Sequence, residues 1–207
     1  MSGVALWRPA FILSALLLMV GGPQHPHGTM VEMLGHQAWV RAHSLMTAGF
    51  VALFVGLLFF KANPSLPDRT QRWTRYALVG TGLQIVERVL HTASVVDHAN
   101  LAAGSETPVL TTHMAAALVF YPAFSATVVG LIIAAAKDGV LGSPWISWLG
   151  VVGLVANGIA PALILSGVEN AQLLFRLLML FGVWLVLSGV WGIRRTERPA
   201  SGATVSP

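Results

Sequence analysis

Six apolar segments, each close to the length needed to cross a bilayer, restrict what this 207-residue chain can fold into. A helix needs about 20 predominantly apolar residues to span the hydrocarbon core. With 55% hydrophobic and 10% charged residues, the chain has too little polar surface for a soluble globule. We therefore predict an all-α, multi-pass membrane protein whose residues 1–207 form one six-helix bundle in contact with lipid. The predicted helices are 4–22, 43–61, 76–97, 112–136, 145–166 and 172–193.

The first segment also fits a second interpretation. Arg8, the apolar stretch from Phe11 to Val20, and the following Gly21 and Gly22 are typical of a secretory signal peptide. No clear small-x-small cleavage site follows this stretch. We therefore expect a helix that is retained in the protein.

The charges of the loops predict how the bundle is oriented. With six spans, both termini lie on one side, and that side carries nearly all of the basic residues. The opposite side carries Arg41 together with Glu32, Asp97, Glu106 and Glu169. By the positive-inside rule both termini are cytoplasmic, and the compact loops without sorting motifs favour a bacterial inner (plasma) membrane. The basic residues on the side of the termini are Arg8, Lys61, Arg69, Arg72, Arg75, Lys137, Arg194, Arg195 and Arg198.

Composition excludes several classes of function. The absence of cysteine rules out disulfides, thiolate metal sites, iron–sulfur clusters and cysteine nucleophiles. The formal net charge of +4 is spread over short loops and forms no patch interleaved with aromatic residues, so we predict no nucleic-acid partner. The seven tryptophans lie mostly near predicted helix ends, and we interpret them as interfacial anchors.

Histidine is confined to the outer side in this topology. Three of the histidines lie in the first outer loop, where we expect ordinary polar residues of a solvated segment. His43 opens the second predicted helix and His113 opens the fourth, so both lie at the outer boundary. The seven histidines are His25, His27, His36, His43, His91, His98 and His113.

The third predicted helix carries a polar stripe deep in the bilayer. Glu87 and His91 are four residues apart on one face, so the carboxylate can hold one imidazole nitrogen while the other faces a ligand. Ionisable groups at this depth pair with each other or mark a site. Arg88 and Arg176 are the expected counter-charges, and a purely structural Glu–Arg pair between helices three and six stays open. The stripe comprises Thr81, Gln84, Glu87, Arg88, His91, Ser94 and His98.

Two stretches of the sequence resemble a known family. The residues HSLMTAGF that begin at His43, continuing to Lys61, resemble the opening of the second helix of the cytochrome b-561 family of transmembrane b-type cytochromes. The stretch from His113 to Lys137 is similar to the start of that family's fourth helix. The resemblance implies that His43 and His113 are the axial ligands of one heme b. Because the fifth predicted helix has no histidine, the second heme pair of the family is missing.

These observations predict an outward-facing cluster of His43, His91 and His113, steered by Glu87. The first hypothesis is one heme b for electron transfer, with Arg176 near its propionates or near a quinol or periplasmic reductant. Imidazoles without thiolates suit copper or zinc as well, and a hydrolytic zinc site with Glu87 as general base is the enzymatic version. A third hypothesis is an accessory subunit whose polar stripe binds a helix of a membrane partner.

Overall fold

The computed structural model describes residues 6–196 and confirms the all-α class over this range. Six long helices and two short ones are joined by turns and three 3-10 segments, and no strand occurs between residues 6 and 196. The 3-10 segments are Gly22–Gln24, Ser94–Asp97 and Ala171–Leu177. The helices are α1 (Trp7–Gly21), α2 (Met30–Gly35), α3 (Ala38–Lys61), α4 (Asp68–Ala93), α5 (His98–Ala102), α6 (Pro108–Lys137), α7 (Pro144–Leu165) and α8 (Leu178–Thr196).

The six long helices pack side by side in a closed ring that follows the order of the chain. α3 packs between α1 and α4, α6 packs between α4 and α7, and α8 packs on α7 and returns to α1. Aromatic side chains fill the centre of the ring. The ring centroid of Phe124 lies 5.2 Å from that of Phe50 and 6.2 Å from that of Phe181. These contacts join α3, α6 and α8 across the bundle.

Four helical stretches are long and apolar enough to cross a membrane. Helices of this length and composition are typical of a membrane protein. α1 has only 15 described residues, and the many polar residues of α4 lower its hydropathy, so neither of these two helices meets the same standard. The four stretches are Ala38–Lys61, Pro108–Lys137, Pro144–Leu165 and Ala171–Trp191.

The predicted helix bounds differ from the observed ones mainly at polar ends. α3 begins at Ala38 and α6 begins at Pro108, so His43 and His113 lie inside these helices instead of opening them. α4 begins at Asp68 instead of residue 76, because a charged stretch, which a search for apolar runs does not detect, extends the helix. The acidic Asp68 is favourable in the first turn of the helix. The sixth predicted helix starts as a 3-10 segment. Residues 4 and 5 of the first predicted helix, and Arg198, lie outside the described range.

Glycine allows α7 and the last part of the chain to approach each other closely. A Cβ atom at Gly153 would lie 2.7 Å from the carbonyl oxygen of Leu177 and 2.8 Å from the amide nitrogen of Phe181. Both neighbours are backbone atoms, which cannot rotate away as a side chain can. Small residues are enriched at such contacts in membrane bundles because they let backbones pack directly.

We expect Gly153→Ala to lower the melting temperature of the detergent-purified protein, because overpacking a tight contact costs about 1–3 kcal/mol. Thermal unfolding followed by circular dichroism measures the effect. Gly82→Ala is the matched control, since the nearest atom to a Cβ there is Phe54 Cε2 at an ordinary 3.8 Å. Equal melting temperatures for the two variants would contradict the close approach at Gly153.

Candidate metal centre

The polar stripe predicted from the sequence lies on the inner face of α4 as far as His91, whereas Ser94 and His98 lie beyond the end of α4, in the 3-10 segment and in α5. Thr81, Gln84 and Glu87 are fully buried, whereas Val79 and Val86 on the opposite face are 64% and 52% exposed. This distribution is the reverse of a soluble protein, because the polar groups point into the bundle and the apolar groups point outward. The polar groups must therefore find their partners among neighbouring helices.

Four imidazole rings lie in one layer, at the end of the bundle where α3 and α6 begin. The ring of His91 is central: its centroid lies 4.3 Å from that of His43 and 4.0 Å from that of His113. The ring of His25 lies beyond His43, at a centroid distance of 4.8 Å. We call these four residues the imidazole layer. It draws on α3, α4, α6 and the loop that follows α1.

His43 is held by the preceding turn of α3. Its Nδ1 lies 2.6 Å from the carbonyl oxygen of Trp39, and since a carbonyl can only accept, Nδ1 donates. The indole ring of Trp39 lies against the imidazole at a centroid distance of 4.1 Å, and its Nε1 donates to the Thr92 carbonyl oxygen at 3.3 Å. The other ring nitrogen of His43, Nε2, is buried without a hydrogen-bond partner and carries the lone pair.

His25 reaches the layer through a short turn of the chain. The 3-10 segment Gly22–Gln24 follows α1 directly, and Nδ1 of His25 donates to the carbonyl oxygen of Pro26 at 2.7 Å. Burial is the largest cause of a lowered His25 pKa, so this ring is neutral at neutral pH. As in His43, a backbone carbonyl occupies Nδ1 and leaves the lone pair on Nε2.

Glu87 lies beneath the imidazole layer. Its Oε1 is 2.9 Å from Nδ1 of His113 and 3.6 Å from Nδ1 of His91. Its Oε2 accepts a hydrogen bond from Gln84 Nε2 at 3.0 Å and lies 3.6 Å from Arg88 Nε. One carboxylate therefore joins two imidazoles to a cation, all within the buried part of the bundle.

Arg88 is the counter-charge of Glu87. Both Arg88 and Arg176 were predicted for this role from the sequence. The guanidinium carbon of Arg88 lies 4.9 Å from the ring centroid of Tyr121 and 5.4 Å from that of Phe50. Arg176 is exposed in the 3-10 segment before α8, and among the described residues no ion pair joins it to Glu87. Its predicted contact with a bound ligand stays a prediction.

A buried carboxylate aligns the ends of α4 and α6. Asp97, at the end of the 3-10 segment after α4, accepts a hydrogen bond from the amide nitrogen of Leu110 at 2.8 Å. That amide is one of the free donors in the first turn of α6, where a negative group is favourable. His113 follows Leu110 by three residues on the same helix. The bond therefore helps to hold His113 at the level of His91.

Two sets of three side chains in the described residues are arranged to hold a metal ion. In each set the ligand atoms lie within 4.8 Å of one another. The first set is His25, His43 and His91, and the second is Glu87, His91 and His113. The four predicted metal ligands are thus divided between two sets that share His91. Imidazole nitrogens with one nearby carboxylate suit zinc or copper.

The same arrangement does not fit a heme held by His43 and His113. Two axial histidines bind the iron from opposite faces of the porphyrin, so the space between their rings must admit the macrocycle. In this structure the ring of His91 lies between them, about 4 Å from each, at 4.3 and 4.0 Å. A small ion needs no such space. The heme stays a prediction, and the geometry favours the metal alternative.

His25 and Trp39 were not predicted as part of the site. We expected His25 to be a polar residue of a solvated loop and Trp39 to be an interfacial anchor, yet Trp39 is fully buried against His43 and His91. For Trp39 a signal existed, since it precedes His43 by four residues and so shares its helical face. No spacing rule reports where a loop residue such as His25 folds back.

Comparison with known proteins adds no assignment: no family model, no curated protein and no solved structure matches the chain.

Proposed function

We propose that this membrane protein binds a transition-metal ion, zinc or copper, through His25, His43 and His91. The observation that carries the proposal is the unpartnered, buried Nε2 of His43, whose opposite nitrogen is fixed by a backbone carbonyl. A buried polar atom without a partner costs about 1–3 kcal/mol, which a bound ion would offset. Metal-binding histidines typically donate their second nitrogen to a carbonyl or carboxylate, as His25 and His43 do to backbone carbonyls.

The chemistry of the donors supports zinc or copper over harder ions. Three neutral imidazoles without thiolate or carboxylate suit these borderline metals, whereas magnesium and calcium prefer oxygen. Three protein ligands leave a fourth position for water or a substrate, as in many catalytic zinc sites. Glu87 supplies a negative charge near the ion, and it lies close enough to His91 to orient that ring. Metal handling at the membrane is the function that we infer; a hydrolytic role for the site rests on the same geometry.

Replacing His43 or His25 by alanine should abolish or weaken metal binding at least tenfold, because each removes one of three ligands. We would measure the zinc and copper content of desalted protein by mass spectrometry, and the affinity by competition with a coloured chelator. His27→Ala is the matched control, because His27 is an exposed histidine in the same loop. A wild-type protein that takes up neither metal, or a His43→Ala variant that binds like wild type, would contradict the proposal.

The same preparation tests the heme hypothesis. A heme held by His43 and His113 would give sharp absorption bands on reduction that vanish in His43→Ala and in His113→Ala. If these bands appear, the site is an electron-transfer site instead of a metal site, with a quinol or periplasmic reductant as partner. A colourless protein without metal would favour an accessory subunit that binds a partner helix.

We further infer that all six long helices cross the membrane, with both termini cytoplasmic. α1 and α4 complete the ring between helices that are apolar enough to span. The outer face of α4 carries exposed Tyr76, Val79, Val86 and Val89, which suits contact with lipid. Its polar residues point inward, so the low hydropathy of α4 reflects its buried face. The distribution of basic residues supports cytoplasmic termini, and the compact loops without sorting motifs support a bacterial inner membrane.

Single cysteines introduced at residues 65 and 105 test the number of spans, because the chain has no cysteine of its own. Both Ser65 and Ser105 are exposed, and α4 separates them. In intact cells, a membrane-impermeant maleimide should label Ser105→Cys at once and Ser65→Cys only after permeabilisation. If both variants react from the same side, α4 does not cross the bilayer and the six-span topology is wrong.

A further inference from the structure

We propose a second metal ion, bound by Glu87, His91 and His113, so that His91 bridges two ions in a binuclear centre. The inference rests on the proposed function, because His91 also belongs to the first set of ligands. The second set lies deeper in the bundle than the first, on the side of the imidazole layer that faces Glu87. Its ligands come from α4 and α6, the two helices that Asp97 holds in register.

Three buried atoms without hydrogen-bond partners converge at this second site. They are Oε1 of Glu87, Nδ1 of His91 and Nδ1 of His113. His113 Nδ1 and Glu87 Oε1 are 2.9 Å apart, an ion-pair distance, and neither atom makes a hydrogen bond of standard geometry. Glu87 Oε1 also lies 3.6 Å from Nδ1 of His91, and the three residues are placed to hold one ion. Nearly all buried polar groups in proteins have a hydrogen-bond partner, so three buried atoms that only approach one another need an explanation. An ion at their common centre would satisfy all three.

The rest of the carboxylate supports this assignment. Its second oxygen, Oε2, already accepts from Gln84 and lies beside Arg88, which fixes the plane of the group and leaves Oε1 free. One carboxylate oxygen and two imidazole nitrogens form a donor set suited to divalent zinc or copper. The negative charge of Glu87 also offsets part of the charge of a second cation.

His91 is the residue that connects the two sites. Its Nδ1 faces Glu87, so we assign its Nε2 to the first ion beside His25 and His43. Its ring lies between those of His43 and His113. When both nitrogens bind metal, the ring proton of His91 is released to solvent and the imidazolate joins the two ions. Binding at the two sites is therefore expected to be coupled.

Metal stoichiometry tests the second site. We expect two zinc or copper ions per wild-type chain, and one in both Glu87→Gln and His113→Ala. Glu106→Gln is the control, because it makes the same change at an exposed outer-loop residue. Copper-loaded wild type, which needs no variant to fold, should also show the electron paramagnetic resonance signature of two coupled copper ions.

The outcomes separate this inference from the proposed function. One ion per wild-type chain that is lost in His43→Ala and retained in His113→Ala overturns the second site and leaves the first intact. No bound ion overturns both. Two ions that survive both Glu87→Gln and His113→Ala overturn the assignment of the second site to these residues.

Discussion

A fully buried carboxylate, that of Glu87, is the constraint on which the arrangement of the bundle depends. Removing an ion from water without a partner costs several kcal/mol, so α4 can be inserted only where its neighbours satisfy this charge. Gln84 donates a hydrogen bond to one carboxylate oxygen, and the charged Arg88 lies 3.6 Å from the same oxygen. The rings of His91 and His113 face the other oxygen. Breaking such a buried pair costs about 3–5 kcal/mol, which is a large part of the stability of a typical domain.

Arg88 carries this constraint to the helices on both sides of α4. Its guanidinium faces the aromatic ring of Phe50 on α3 and that of Tyr121 on α6. A cation near two aromatic faces is stabilised by about 0.5–2 kcal/mol per contact, more so where water is excluded. Satisfying Glu87 therefore also fixes how α3, α4 and α6 pack. These are the three helices that supply His43, His91 and His113, so the polar network and the imidazole layer are parts of one structure.

The apolar cover of the site has an equally local origin. Leu34 of the short helix α2 packs with Trp39 and Leu110, and Met30, Met33 and Met114 pack around them. Methionine sulfur is a possible copper ligand, but here the three side chains lie in an apolar cluster, where flexible methionine fills irregular space. The capping box between Thr29 and Glu32 starts α2 and so sets the position of this cover.

The fold could be predicted from the sequence further than the site could. Apolar runs fix the middle of a membrane helix, so α6 and α7 begin and end within a few residues of the predicted positions. The period of the stripe likewise predicted that Glu87 and His91 share a face. What no period reveals is tertiary placement: that His91 lies between His43 and His113, and that His25 folds back from a loop. The choice between a porphyrin and an ion depends on that placement, which is why sequence reasoning left it open.

The closed ring also has a consequence for the order in which the protein is made. Every imidazole of the layer is synthesised within the first 113 residues, before α7 and α8 exist. At about 5–20 residues per second, the remaining chain takes on the order of ten seconds to emerge from the ribosome. During that interval α1 lacks its second neighbour, because the contact of Gly189 with Ile12 closes the ring only when α8 arrives. The imidazole layer can thus assemble on an open bundle, and α8 then closes the ring.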